Sequence, residues 1–225
     1  NSNASAIAHF AKFVPGGQAL GELADGRKIF AWGVLPGEIA EVTITKDKRK
    51  YVEGWASKII ELSPHREKPR DECYLATSPW QILHWEDELR SKESLVRESF
   101  HQEKIPIDLA PIATDNKQFG YRNKMEYALY FMSADEANQP SNADFLRTFS
   151  SSDFTRNYID HGKHVIGGKI FLAFNQRGSH LEIPNLHSSL ERAEISATAQ
   201  LLVDKLIDLG EIGVKSQSLL VHGPG

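Results

Sequence analysis

Apolar and polar positions fall into two regimes along the chain. Up to residue 63 the apolar residues come in short β-rich runs, 7–13, 27–32, 39–45 and 55–62, separated by turn signals at Pro15-Gly16-Gly17, Asp25-Gly26 and Pro36-Gly37. The third run alternates cleanly, Ala40, Val42 and Ile44 against Glu41, Thr43 and Thr45, which is the period of a half-buried strand. Runs this short within 5–63 predict a small closed barrel, because closure removes the edges that a short open sheet would expose.

Past a charged, proline-punctuated linker, Ser63-Pro64-His65-Arg66-Glu67-Lys68-Pro69-Arg70, longer periods take over. A helix is predicted over 81–102, with Trp85, Leu89, Val96 and Phe100 as its apolar stripe and Glu86/Arg90, Glu88/Lys92 and Glu93/Arg97 as i,i+4 pairs. Pro106 enforces its end. Over 121–131, Tyr121, Met125, Tyr127, Leu129 and Phe131 share one face and Arg122, Lys124 and Glu126 the other, the signature of an antiparallel strand with one dry side. Residues 133–163 are polar without steady periodicity and read as an insertion or mobile loop. A hairpin is expected from 169–175 and 179–183 around Gln176-Arg177-Gly178. The last helix is expected to start at a capping box, Ser188 with Glu191, and to run to Leu209 with Ile195, Ala199, Leu202, Leu206 and Leu209 buried. A strand over 218–221 follows. The expected fold class is α+β: a small all-β, OB-like barrel over 5–63, then an α/β central domain over 64–225 with an antiparallel sheet and two long helices. Residues 1–4 read as a tail outside the fold.

Composition narrows the classes. With 40% hydrophobic and 25% charged residues in 225, the chain has the ordinary globular balance. No apolar run reaches the roughly 18 to 20 residues that cross a bilayer, so no membrane association is expected and the cytoplasm is the default compartment. One cysteine, Cys73, can form no internal disulfide. The formal charge of −4 hides a gradient: residues 1–70 hold 11 Lys and Arg against 8 Asp and Glu, and residues 71–225 hold 15 against 22. A polyanion would therefore be met by local patches and repelled by the field of the whole chain.

The clearest patch is Lys46-Asp47-Lys48-Arg49-Lys50-Tyr51 between the third and fourth runs. At a hairpin tip, Lys46, Lys48, Arg49 and Lys50 can neutralise phosphates while Tyr51 offers a face to an unstacked base. The alternative is a solvated turn with Tyr51 covering the barrel end. Arg122 and Lys124, on the wet face of a strand in an acidic region, suit a phosphate path, or else pair with Glu126 or helix carboxylates. Arg177 at its hairpin tip is similar. His161, His164, His180 and His187 lack a specific ligand spacing, and Cys73 stands beside Asp71 and Glu72, the wrong surroundings for a thiolate. Glu86-Asp87-Glu88 lies on the polar side of a helix. No catalytic residue and no metal ligand is assigned.

In order along the chain, Gly21-Glu22-Leu23-Ala24-Asp25-Gly26, Val34-Leu35-Pro36-Gly37-Glu38 with its lysine-rich turn, the linker, 81–92, Phe119-Gly120-Tyr121-Arg122-Asn123-Lys124 and Ala173-Phe174-Asn175-Gln176-Arg177-Gly178-Ser179-His180 resemble the front half of the RNA uracil-C5 methyltransferases that carry an N-terminal TRAM domain. The resemblance implies an S-adenosylmethionine (SAM)-dependent enzyme acting on structured RNA, most often 23S ribosomal RNA. In that family a thiolate adds to C6 of the uracil to make C5 nucleophilic, and the base is drawn out of its stack. The cysteine and the SAM-binding domain lie in a C-terminal domain that is not expected in this chain, which reads as the TRAM barrel plus central domain. Many relatives hold an iron–sulfur cluster through four cysteines. Here Cys73 stands at the first position, Thr77-Ser78-Pro79-Trp80 replaces the next segment and His187 stands near the fourth, so no cluster is expected. The alternative is a stand-alone RNA-binding or adaptor protein without a catalytic domain. The methylthiotransferases, which also use TRAM, place it after a three-cysteine motif that is missing here. No protein partner is indicated.

Overall fold

The computed structural model describes residues 4–148, 152–160, 163–177, 182–184, 188–209 and 218–222. They form two compact units, 1–116 and 117–225.

The first unit is built on a closed five-stranded barrel of β1 (Ser5–Phe13), β2 (Ala19–Glu22), β3 (Lys28–Trp32), β4 (Ile39–Asp47) and β5 (Tyr51–Glu61). The strand order is β1-β2-β3-β5-β4, with β4 returning to β1. Every pairing is antiparallel except β3 with β5. This is the OB-like barrel expected, with one strand more than the periodicity showed: β2 is only four residues long and sits between two glycine turns, too short to display a period. Just ahead of β1, the Ala4 carbonyl accepts from the Ile44 amide of β4 at 2.9 Å. Phe10, Ile29, Val42 and Val52 fill the interior, with Ala8, Ala19, Ala31 and Ala40 between them, the large and small mixture that a narrow barrel needs. At Gly54 a Cβ would lie 2.1 Å from the Thr43 carbonyl oxygen, so β4 and β5 close only over glycine.

One carboxylate organises the barrel's exit. Glu38 is fully buried. Its Oε2 accepts from the Leu35 amide at 2.7 Å and its Oε1 from the Ser63 amide at 3.2 Å. Arg66 donates to both oxygens, Nε at 2.6 Å and Nη2 at 2.8 Å, and Nη2 also reaches the Gly33 carbonyl at 2.9 Å. The linker held by this fork then bonds to the segment before the long helix, Glu67 N to Ile82 O at 2.9 Å and His84 N to His65 O at 3.0 Å.

Beyond α1 (Tyr74–Thr77) and a 3₁₀ turn at Pro79–Ile82, α2 spans Trp85–Gln102. It starts four residues later than expected, because residues 81–83 are occupied by the 3₁₀ turn and the pairing of Leu83 with Arg66. Its inward side is also different. Leu95 packs against the barrel core and Glu98 pairs with Lys12 of β1, whereas Val96 and Phe100 of the expected stripe are exposed. Of the three expected pairs only Glu88–Lys92 forms, at 2.6 Å. Asp87 takes Arg90 instead, Glu93 accepts from the Ile112 amide and Arg97 donates to the Leu109 carbonyl. Arg90, and secondarily His65, holds the Asp87 carboxyl below the usual range.

The second unit has β6 (Lys124–Ser133), α3 (Ala134–Ala137), α4 (Ala143–Thr148), β7 (Ser152–Asp160), β8 (Lys163–Asn175), β9 (Glu182–Pro184), α5 (Ala193–Leu209) and β10 (Ser218–His222). The antiparallel sheet runs β10-β6-β8-β7, with β9 also paired to β8. The stretch 133–163, expected as an insertion or mobile loop, carries regular structure: Ser133 opens it with a full capping box to Glu136, and β7 lies along β8. Ile170, Phe171, Leu172, Ala173 and Phe174 are buried consecutively, a strand covered on both faces. Among the described side chains of α5 the buried stripe is Ile195, Ala199 and Val203, with Leu202 exposed; those of Leu206 and Leu209 lie outside them. The helix begins at Ala193, because the Glu191 side chain turns back to the Ser188 amide, 2.9 Å, and closes a turn ahead of the helix. No helix among the described residues is long and apolar enough to cross a membrane.

Removing Arg66 strands a buried carboxylate. Arg66→Ala is expected to lower unfolding free energy in urea by about 3–5 kcal/mol, with Arg66→Lys in between because an ammonium cannot make the two-pronged contact. A loss below about 0.5 kcal/mol would show that the pair does not hold the exit.

Candidate nucleic-acid interface

The β4–β5 hairpin narrows to a turn at Lys48, Arg49 and Lys50. The Lys48 amide donates to the Tyr51 carbonyl at 2.9 Å, and the Lys28 amide to the Lys50 carbonyl at 3.4 Å. Arg27 braces the turn from β3's end: Nη1 meets Asp47 Oδ1 at 2.6 Å and the Lys48 carbonyl at 3.4 Å, while Nε meets Asp25 Oδ2 at 2.7 Å. Its hydrogen bonds to backbone and guanidinium hold Asp25 below the usual carboxylate range, and Asp25 and Asp47 together push Arg27 up. Arg27 carries no tip charge of its own, being neutralised twice, and the short Asp25-Gly26-Arg27 turn is the only signal of it in the sequence.

The six residues of the patch divide by role. Lys48, Arg49 and Lys50 are exposed and make no ion pair among the described residues. Lys46 is committed to Glu53 at 2.8 Å, which raises its pKa, and its ammonium stands 5.7 Å from the Tyr51 ring centroid. Tyr51 is half-buried, its ring set edge-on to Phe30 at 5.8 Å. The tip thus offers three free cations above an aromatic already packed on one side.

In the second unit, the Arg122 and Lys124 pair does not share a strand face. Lys124 is the exposed first residue of β6, but Arg122 precedes it and is held by backbone bonds, its amide to the Leu190 carbonyl at 2.9 Å and its carbonyl from the Arg192 amide at 3.1 Å. That turn is fixed from inside by buried Glu191, which accepts from the Tyr127 hydroxyl. Burial, and then Glu191, raise the Tyr127 phenol far above its ordinary range. Neither Arg122 nor Lys124 forms an ion pair among the described residues. Arg122 instead lies within electrostatic reach of Arg177. Arg177 is exposed overall, yet partial burial and the charge of Arg122 hold its guanidinium below the ordinary arginine range. The residues from Gly178 to Leu181, and His161, His180 and His187, lie outside the described residues.

Cys73 is buried. Around it Thr77 and Pro79 are buried, and Trp80 stacks on Phe13 at 4.5 Å while its indole donates to the Gly17 carbonyl at 2.8 Å. The chain's one thiol would supply one of the four ligands that an iron–sulfur cage takes.

Residues 9–56, the barrel and its tip, match the family model of the TRAM domain. This barrel is of the TRAM type. The TRAM-bearing chain is also similar to RNA methyltransferases. An uncharacterized RNA methyltransferase of Treponema denticola is 35% identical over 105 residues, 43% of this chain and 26% of the relative. One of Gloeobacter violaceus is 30% identical over 123 residues, 51% and 26%. The 23S rRNA (uracil(1939)-C(5))-methyltransferase RlmD of Edwardsiella ictaluri is 29% identical over 107 residues, 47% and 24%. The chain spans about a quarter of the length of the curated relatives it matches. A crystal structure of the Pyrococcus abyssi tRNA (uracil-54, C5)-methyltransferase, in complex with S-adenosyl-L-homocysteine, superposes with a TM-score of 0.47 at 16% identity, over 91% of this chain and 37% of that one.

If Arg27 braces the tip, Arg27→Ala should accelerate hydrogen exchange at the Lys48 amide well beyond the barrel strands while leaving the urea midpoint near wild type. Unchanged exchange there would remove the brace from the account.

Proposed function

We propose that this chain is the RNA-gripping N-terminal part of a SAM-dependent RNA uracil-C5 methyltransferase acting on ribosomal RNA, with TRAM and the central sheet domain, expected over 5–63 and 64–225, holding structured RNA. The observation that carries the reading is the braced hairpin tip of the TRAM barrel, where Lys48, Arg49 and Lys50 stand exposed and form no ion pair among the described residues. Unpaired cations on a rigid turn gain by releasing counterions from a phosphate backbone, and cations already in salt bridges gain less. Arg122, Arg177 and Lys124 supply a second basic locus on the acidic part of the chain. The similarity to RNA methyltransferases, the Edwardsiella enzyme among them, supports the reaction class and the ribosomal target.

The methyl group in such a reaction comes from SAM. Its usual seat is a parallel strand followed by a glycine-rich turn and a helix. Among the described residues the one parallel pairing between named strands is β3 with β5 inside the barrel, which has no helix crossing between them, and the second sheet is antiparallel throughout. The reading places both SAM and the attacking thiolate outside these residues. What this chain contributes is grip: phosphate neutralisation at the tip and orientation of the RNA.

Changing Lys48, Arg49 and Lys50 together to Ala should weaken binding to structured ribosomal RNA and flatten the slope of log K against log salt by roughly 2–3, at about 0.7–0.9 per lost phosphate contact. Adding Lys46→Ala should change the slope by less than each of the others, because Lys46 is already paired. An unaltered slope in the triple variant would overturn the tip assignment.

A further inference from the structure

Strands β3 and β5 lie side by side and in parallel, in the register Lys28 with Tyr51, Phe30 with Glu53 and Trp32 with Trp55. Ile29, Ala31 and Val52 are fully buried in the barrel. Alternation therefore turns Phe30, Trp32, Tyr51 and Trp55 outward, and each is half-buried. Four aromatics on the outer wall of two adjacent strands cover more than the barrel needs for its core. The Trp32 side is closed by the chain itself: a Cβ on Gly17 would touch both the Trp80 and Trp32 rings at 3.3–3.5 Å. The Trp55 side chain, by contrast, makes no ring contact, hydrogen bond or ion pair among the described residues.

Charge says what suits the open part. The one acid on this wall between Tyr51 and Trp55 is Glu53, and Lys46 neutralises it at 2.8 Å. Immediately beyond Tyr51 come the exposed Lys48, Arg49 and Lys50. Successive rows of the wall are two residues apart along the strands, roughly 6–7 Å. That arrangement, aromatic side chains in successive rows beside exposed cations, matches a chain of flat bases on a phosphate backbone.

We propose that Phe30, Tyr51 and Trp55 form a stacking platform for unpaired bases of single-stranded RNA whose phosphates are held by Lys48, Arg49 and Lys50. The inference rests on the RNA-binding reading above and sharpens it: the barrel grips a loop or an opened strand, and a closed duplex cannot present its bases to the wall. Stacking is tolerant of sequence, since every base has a π-face, so the platform adds affinity for unpaired RNA without selecting the target nucleotide.

The test uses the 225-residue chain with three probes: an unstructured oligouridylate, a fully paired RNA hairpin of equal charge, and inorganic polyphosphate. Expected results are tighter binding of the oligouridylate than of the hairpin, quenching of tryptophan emission by the oligouridylate, and competition by polyphosphate without quenching. Trp55→Ala should weaken oligouridylate binding about tenfold with the salt slope kept, and Trp55→Phe should retain most of the affinity. Equal binding of hairpin and single strand, or affinities within twofold for both Trp55→Ala and Phe30→Leu, would overturn the platform while leaving the RNA-binding reading in place. Capture of protein but no RNA by this wall would overturn both. If Trp55→Ala does not fold, quenching in the wild-type chain decides.

Discussion

The first unit depends on a carboxylate that no water reaches. Glu38 sits between the barrel and the linker that leaves it, and a bare charge there would cost several kcal/mol. It is tolerated because four donors converge on its two oxygens, the Leu35 and Ser63 amides and two nitrogens of Arg66. The pair does more than satisfy itself. By fixing Arg66 it fixes the linker, and the linker's backbone bonds to residues 82–84 set the entry of α2. Tyr74 lies in the same pocket, and burial raises its phenol above the ordinary range. Such a junction specifies one geometry, because any slip leaves a buried charge without its partner.

The same reasoning, applied to charges in water, explains where the chain can meet a polyanion. Half of the eight Lys and Arg residues of the barrel are spoken for: Lys12 by Glu98, Lys28 by Glu22, Arg27 by two aspartates and Lys46 by Glu53. Exposed pairs of this kind add little stability, but they decide which positive charges remain available. What remains is concentrated at Lys48, Arg49 and Lys50, on a turn held by Arg27. A net charge of −4 is therefore compatible with nucleic-acid contact, since the local field at the tip is set by partners within a Debye length.

Much of this was legible in the sequence, and the misses have physical causes. The barrel strands with strict alternation could be read directly, as could β6 and the hairpin of β8 and β9. The order of motifs carried the TRAM resemblance. The four-residue β2 could not be read, being shorter than any period it might show. For α2, the sequence offered two apolar sides, and the barrel took Leu95 while leaving Val96 and Phe100 exposed. At α5 the Ser188 and Glu191 pattern was real, but it closes a turn that anchors Arg122. Polar composition concealed β7, whose place is set by pairing with β8. At the candidate interface the cations were evident from the sequence. Arg27's bracing, the commitment of Lys46 and the proximity of Arg122 to Arg177 arise only when distant segments meet.

The central claim is that RNA is held first at the barrel tip and its adjoining wall. Ultraviolet crosslinking of the chain to a ribosomal RNA fragment, read out by mass spectrometry of the peptides, tests it most directly. The account predicts crosslinks concentrated in residues 46–55, with a second group around Arg122 and Arg177. Crosslinks confined to α2, or spread evenly over both units with none at 46–55, would contradict it.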